Sequence, residues 1–569
     1  MMKAIQVLRW CREKFQYYVV FTTSIFFILG LVFSYKLVEK TFLDILLTRV
    51  AAAWGMKDKN GEDHYDYDYD YGYGYNYDLR TVVIIVNLHE GTAAILVPLF
   101  VYAADVIHIG RFKMVAFSAT VCIAGLMLNK RAARDDDTLN IRLFYLALGL
   151  MALAQAAQRV NLEGFLDDQL RPMDLDNDQR KRRSKLWWTM VSFAVAIFAG
   201  FGPLPRLHDF EKLALVLISV MGFCFFVFLL GFKRYNFVPE IENPFKDVGI
   251  VLRRAISNRN VECPQTQEPH VPCLRWLDKA TAEGSCSGEQ VRGVKLLLKM
   301  IPLWCCFLTF SLVSASGSTF FFMEAIEVTN DHNYINVILL FSNLSRLTQY
   351  VVSYASSFLI GKIGERKKCN RRKMELVRIG IGMTCCVLCC VTASATAKRR
   401  QDIGEDDYSD NAMSPYWLTP QFFLLGLMWG LSEDGFESFY QSQVSENLSK
   451  YGVAFVELAN GVGIFVSVLC ILVFRSPPFE WFHKGLYYSN LNRYYIFLAV
   501  LSVVNLMVYC WVAYSYGVGD EKADQVSKGQ PADTRTHPEE AEPGNIEGGG
   551  AYGDHMKTWA EILKEGIAN

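Results

Sequence analysis

Twelve apolar runs, each long enough to cross a lipid bilayer, constrain the fold of this chain more than any other feature. A helix needs about 20 residues to span the hydrocarbon core, and it satisfies its backbone hydrogen bonds internally. Among 569 residues, 52% are hydrophobic and only 20% are charged, as in a polytopic membrane protein. We therefore predict an all-α membrane protein with twelve transmembrane helices. They lie at about 17–37, 82–107, 112–128, 141–162, 186–204, 213–232, 296–323, 333–361, 374–396, 416–438, 452–474 and 494–516.

The predicted spans form two groups of six, separated by a hydrophilic stretch from Lys233 to about Lys295. The loops at 171–185 and 361–374 carry six and seven Lys or Arg residues. The positive-inside rule places both loops, and with them both termini, in the cytosol. The expected units are a six-helix bundle (1–232) with a Tyr/Asp-rich extracytosolic loop (61–80), a cytosolic linker (233–295), a second bundle (296–516), and a disordered tail with a short amphipathic helix (517–569).

The chemistry of a membrane enzyme or an ATP-driven pump is absent from the sequence. It contains no GxxxxGK[ST] phosphate-binding loop and no HExxH metal motif, so we expect neither catalysis nor a cofactor. The CCVLCC cluster at 385–390 could hold a soft metal, but cysteine within an apolar run commonly acts as a small apolar residue. The net charge of -1 gives no reason to expect nucleic acid as a partner. The expected partners are the lipid bilayer, a small-molecule solute and protons.

Arg159 lies in the apolar stretch from 143 to 165, and a charge there has two explanations. Within the bilayer an arginine costs at least about 2.5 kcal/mol, and it is normally retained for a pathway, a ligand or a partner charge. About six residues separate it from Asp167. The side chain could therefore also extend to the headgroups from the edge of the membrane.

Other polar residues in or beside the spans are candidates for a central cavity, each with a structural alternative. Glu433 and Asp434 could act as gating or proton groups, or could mark a helix end near the cytosol. Glu90 could face the cavity or bond to a neighbouring helix. Hydroxyl and amide groups could contact a polar solute or satisfy adjacent helices; these belong to Tyr18, Tyr440 and Gln441.

Several segments resemble the plant nitrate/peptide transporter family, within the proton-coupled oligopeptide transporters of the major facilitator superfamily. Asn87, Gly91 and Thr92 match the Asn-x-x-x-Gly-Thr pattern of that family's second helix. The segments 274–281, 294–310 and 318–325 resemble its Leu-Asp-Lys-Ala signature and seventh helix, and 413–431 resembles its tenth helix. The resemblance implies two bundles that alternate access around a midplane binding site.

The departures from the family's coupling motifs affect the expected mechanism. In WCREKFQYY, the family's Glu-x-x-Glu-Arg/Lys motif retains Glu13 and Lys14, while Trp10 replaces the first glutamate. Arg159 takes the place of the fourth-helix lysine, and Trp429 that of the tenth-helix glutamate. Tryptophan does not titrate and arginine effectively never loses its proton, so the usual proton relay is reduced.

From the resemblance we expect a secondary transporter of a small polar or anionic solute, such as nitrate, a peptide or a plant metabolite. A fixed positive charge at Arg159 without an acidic counterpart at Trp10 favours an anion. The family implies proton symport, whereas the altered coupling residues leave a uniporter or an anion-coupled exchanger open. The plasma membrane and the vacuolar membrane are both compatible with the family. The alternative is a transporter-like protein that no longer transports and acts as a sensor or membrane scaffold.

Overall fold

The protein was analysed as a computed structural model, which describes residues 23–55, 79–105, 109–132, 140–171, 177–201, 210–237, 244–261, 274–284, 286–329, 334–367, 370–405, 413–444, 448, 451–483 and 489–527. These parts of the chain are almost entirely helical. The α-helices are Thr23–Gly55 (α1), Leu79–Asp105 (α2), Arg111–Ala132 (α3), Ile141–Arg159 (α4), Asn161–Leu170 (α5), Asn177–Phe201 (α6), Phe210–Leu230 (α7), Pro244–Ser257 (α8), Gly288–Lys299 (α9), Ile301–Gly317 (α10), Phe320–Val328 (α11), Tyr334–Lys367 (α12), Arg371–Glu405 (α13), Thr419–Gln443 (α14), Gly452–Arg475 (α15) and Leu491–Ser527 (α16).

The predicted all-α membrane fold is confirmed, since every predicted span coincides with a helix. Within the described residues, eight helical segments are long and apolar enough by composition to cross a membrane. The helices α1, α6, α12 and α14 occupy the other predicted spans. The predicted end of the first span at residue 37 was wrong, because α1 continues to Gly55.

Two spans are broken into consecutive helices by polar residues that bond back to the preceding turn. At the first break, α4 ends at Arg159 and the Asn161 amide donates to the Ala157 carbonyl at 2.8 Å. At the second, the Thr319 hydroxyl between α10 and α11 donates to the Ala315 carbonyl at 2.7 Å. Side-chain donors thus satisfy carbonyl groups that a helix end would leave unpaired.

Helices of the first half pack on one another, as do those of the second half, and helix pairs also join the halves. The two most extensively packed of the pairs that join the halves are α2 with α15 and α6 with α12, and α1 also packs on α12. Glycines allow the close approach of α2 and α15. A Cβ on Gly91 would lie 3.1 Å from the Phe465 ring, and one on Gly461 would lie 2.9 Å from the backbone nitrogen of Ile95.

The linker between the halves contains a small core of its own. It includes α8, α9 and a 3-10 helix at Arg275–Gly284. Leu277 and Ala280 of the Leu-Asp-Lys-Ala segment are fully buried. Asp278 forms an ion pair at 2.7 Å with Lys295, whose side chain is also buried. The motif therefore fixes the 3-10 helix against α9.

The outer surface of the bundle carries large apolar side chains, such as Phe223 on α7 and Met507 and Trp511 on α16, each more than half exposed. Such a surface would be a liability in water and is the expected one for contact with lipid. The chain is an integral membrane protein.

We predict that Gly461→Ala lowers the melting temperature of the purified protein, because the new methyl group meets the backbone of Ile95 at 2.9 Å. Overpacking of this kind costs about 1–3 kcal/mol. Gly149→Ala is the matched control, since a Cβ there has no neighbour within 4 Å. Equal melting temperatures for the two variants would contradict the tight approach of α2 and α15.

A buried charge cluster as the candidate functional site

Arg159 lies at the C-terminal end of α4, where its guanidinium contacts carboxylates from three other helices. Nη2 lies 2.8 Å from Glu90 Oε2 on α2 and 3.6 Å from Glu39 Oε1 on α1. Nη1 donates to Glu457 Oε2 on α15 at 2.7 Å. The Arg159 side chain is 15% exposed, so these pairs are largely shielded from water. The Arg159 side chain therefore does not extend outward to lipid headgroups, as the alternative at the membrane edge required.

Two further side chains of the first half, Gln155 and Lys36, bind the carboxylates that contact Arg159. Gln155 is one helical turn before Arg159, and its amide donates to Glu90 Oε1 at 3.1 Å and Glu39 Oε1 at 3.5 Å. Lys36 pairs with Glu39 at 3.0 Å along α1. Arg159, Glu39, Glu90, Gln155, Lys36 and Glu457 are called the Arg159 cluster below.

The Arg159 cluster has more acidic than basic groups. Two cations, Arg159 and Lys36, face three carboxylates when all are ionised, which leaves one excess negative charge. Buried charges are costly unless they are paired and hydrogen-bonded. Arg346 of α12 also acts electrostatically on Glu39 and offsets part of this negative charge.

Arg159 has acidic partners after all, which corrects the expectation of an uncompensated charge. They come from Glu90, a predicted candidate, and from Glu39 and Glu457, which sequence reasoning missed. Glu457 is a single charge in an otherwise apolar span, whereas Glu39 follows the predicted end of the first span and lies beside Lys36 and Lys40. The predicted candidates Trp10, Glu13, Lys14 and Tyr18 lie outside the described residues.

A second group of polar contacts surrounds Trp429 within the second half. The Arg346 guanidinium lies 4.7 Å from the Trp429 ring centroid, a cation–π distance. The Trp429 indole donates to Ser314 Oγ at 2.6 Å. Gln349, one turn after Arg346, donates to Glu433 Oε2 at 3.2 Å. Trp429 is thus held in place, and Glu433 faces α12.

Asp434 faces in a different direction and links the two halves. Its carboxylate pairs with Lys185 of α6 at 3.0 Å and with Arg378 of α13 at 3.3 Å. Because α14 continues to Gln443, Glu433 and Asp434 are in the helix interior. The alternative of a helix end at these two residues was wrong.

The structure does not bring Tyr440 and Gln441 into the Arg159 cluster. Tyr440 is buried, and its hydroxyl is 3.5 Å from the Leu448 carbonyl. Gln441 donates to Glu437 at 2.8 Å along the same helix. Within the described residues, no three His, Cys, Asp or Glu side chains are arranged to hold a metal ion.

Comparison with known proteins gives one family match. A sequence model described as "PTR2: POT family" matches residues 112–486. Among curated relatives, the chain is 26% identical to Protein NRT1/PTR FAMILY 5.7 of Arabidopsis thaliana, over 77% of this chain and 82% of that protein. It is 27% identical to NRT1/PTR FAMILY 5.12 of the same plant, over 76% and 84%.

Solved structures share the fold at lower sequence identity. A crystal structure of the POT family transporter PepTSo aligns with a TM-score of 0.67 and 16% identity, covering 88% of this chain and 99% of that one. An auto-inhibited POT family peptide transporter aligns with a TM-score of 0.59 and 14% identity, covering 92% and 99%. These likenesses concern the fold alone.

We predict that Arg159→Ala destabilises the protein, because three carboxylates would then share the site with Lys36 alone. Removing one partner of a buried ion pair costs about 3–5 kcal/mol. Arg159→Lys should lie between this variant and the wild type, since one ammonium cannot reproduce the separate bonds of Nη1 and Nη2.

The measurement is the melting temperature of each variant, purified under identical conditions. Arg475→Ala serves as the control, because Arg475 is an exposed residue in the last turn of α15. Similar melting temperatures for Arg159→Ala and Arg475→Ala would mean that the Arg159 cluster does not hold the fold together.

Proposed function

Because the chain belongs to the POT family of membrane transporters, we propose that it moves a small polar or anionic solute by alternating access, with proton coupling through the Arg159 cluster. The relatives' names point to nitrate or peptides as solute classes, and an anionic plant metabolite has the same chemistry. The observation that carries the proposal is that the Arg159 guanidinium is bound at once by carboxylates of both halves.

Alternating access requires the Arg159–Glu457 pair to break. In the proposed division, Arg159, Glu90 and Glu39 move with the bundle 1–232, and Glu457 moves with the bundle 296–516. Separating a buried pair without a replacement leaves two unpaired charges at a cost of several kcal/mol. The halves therefore stay together until another group takes over one of the partners.

An anionic solute can supply that replacement. A carboxylate, nitrate or similar oxyanion matches the planar fork of the guanidinium and could take the position of Glu457 on Nη1. Arg346 comes from the opposite half and is within electrostatic range of both Glu39 and Glu433. Positive charge from each half therefore acts on this region, which favours an anionic solute there.

The proposed proton coupling depends on Glu457, the carboxylate that the anion would displace from Arg159. Once an anion occupies Arg159, Glu457 loses its partner in a site of low polarity, where a proton removes its charge. Solute and proton then load together without a large change in net charge. This proposal replaces the simpler idea that Arg159 is permanently free to bind an anion.

The Lys185–Asp434 pair is proposed as a second closure between the halves. Lys185 is the last residue of the basic stretch 171–185, which the positive-inside rule places at the cytosolic side and which is helical from Asn177 onward. Its side chain is 40% exposed, so water weakens this pair more than that of Arg159 and Glu457. We propose that it closes the cytosolic side and that both termini are cytosolic, in the plasma or the vacuolar membrane.

We predict that Glu457→Gln separates exchange from accumulation. The amide still accepts a bond from Arg159 but cannot take up a proton, so proton-driven accumulation should be lost while solute counterflow continues. The assay is uptake of nitrate, dipeptides and organic anions into proteoliposomes, with and without an imposed pH gradient. Glu289→Gln, at an exposed carboxylate in the linker, should accumulate solute like the wild type.

Two outcomes would contradict this function. Accumulation by Glu457→Gln at the wild-type level would exclude Glu457 as the coupling group. Absence of flux for every solute, in a wild-type protein that is folded and inserted, would contradict transport and favour the sensor or scaffold alternative.

A further inference from the structure

Glu324 is a buried carboxylate that lies apart from the Arg159 cluster. It is on α11, in the second half, and only 1% of the residue is exposed. Its Oε2 atom accepts a long bond of 3.5 Å from the Gln421 amide, and its Oε1 atom is buried without a hydrogen-bond partner. A carboxylate near the end of a span is commonly solvated or part of a salt bridge at a gate, and the burial of Glu324 excludes the solvated arrangement.

The groups around Glu324 come from three neighbouring helices. Gln421 of α14 is fully buried, and its side-chain amide oxygen accepts a bond of 2.7 Å from the Thr396 hydroxyl of α13. Tyr495 of α16 lies beside the carboxylate with a buried hydroxyl, and Arg400 of α13 acts on it electrostatically. Among the described ion pairs within 4.0 Å, none includes Glu324.

An ionised carboxylate is poorly stabilised in this position. Burial of an unpaired ion costs several kcal/mol even after local relaxation, and Arg400 offsets this only in part from beyond salt-bridge distance. A proton on Oε1 removes the charge and turns an unpartnered acceptor into a donor directed toward polar neighbours such as Tyr495. We propose that Glu324 is a second proton-binding site of this protein, occupied in the conformation described.

The location of Glu324 gives the proton a route. Glu324 is four residues from the end of α11, and Gln421 is two residues from the start of α14. At 1.5 Å per residue, both lie within about 6 Å of helix ends at one face of the bundle. Tyr495 is four residues from the start of α16 and Arg400 is five residues from the end of α13, about 6 Å and 8 Å along their helices. Separation of these ends would admit water and let the carboxyl ionise.

The occupied site can be tested by infrared spectroscopy of the full chain in lipid nanodiscs at neutral pH. A protonated carboxyl absorbs in a C=O stretching region separate from that of a carboxylate. The wild type should show a protonated-carboxyl band that is lost in Glu324→Gln. The band should shift but persist in Glu324→Asp, which keeps the acid. Glu327→Gln, which removes a partly exposed carboxylate on the same helix, should leave it unchanged.

Absence of the band from the wild type, or its persistence in Glu324→Gln, would overturn the proposal. Melting temperatures of the same samples establish that each variant is folded, and Glu324→Asp provides a second test if Glu324→Gln does not fold. The use of this proton in transport rests on the proposed function. If Glu324 takes part in that transport, solute counterflow by the wild type should slow as the pH rises on the side of the membrane nearest Glu324. Counterflow by Glu324→Gln should not depend on that pH.

The proton site at Glu324 and the proposed transport function can be contradicted independently of each other. A band that behaves as expected in a protein without flux would keep the proton site and remove the transport function. Solute flux in a protein that lacks the band would keep the transport function and remove the proton site.

Discussion

The guanidinium of Arg159 is the group on which the account of this protein depends, because one side chain joins the two halves. Its two terminal nitrogens hold Glu90 at 2.8 Å and Glu457 at 2.7 Å. An arginine at the broken end of α4 is costly in a membrane unless such partners compensate it. In the proposed alternating access, the contact that joins the halves must open, so that the stability of the fold and the proposed transport depend on the same interaction.

The two acidic sites differ in how their charge is handled. At the Arg159 cluster, three carboxylates share two cations, and in the proposed cycle a proton or an anion changes which pairs form. At Glu324, one carboxylate is buried among neutral donors without a salt bridge, so a proton decides whether it carries a charge at all. The first arrangement is suited to coupling the halves, and the second to sensing the hydration of one face.

Much of the fold could be predicted from the sequence, since hydrophobic length alone located the spans and charged loops suggested their direction. The site was only partly predictable. Arg159 and Glu90 were identified because a charge in an apolar run is conspicuous. Glu457 gave the same weak signal, but its pairing depends on how α15 packs against α2 and α4, which no local pattern records. The end of α1 was missed because Lys36 and Glu39 resemble a loop until Arg159 is seen beside them.

The most direct test is the distance between Arg159 and Glu457 in a second conformation. Cryo-electron microscopy of the protein in nanodiscs, with a transported anion bound and one side open, would measure it. The account predicts that Glu457 has moved beyond salt-bridge distance while Arg159 keeps Glu90 and contacts the anion. An Arg159–Glu457 pair that remains intact when the halves have separated on one side and the anion is bound would contradict it.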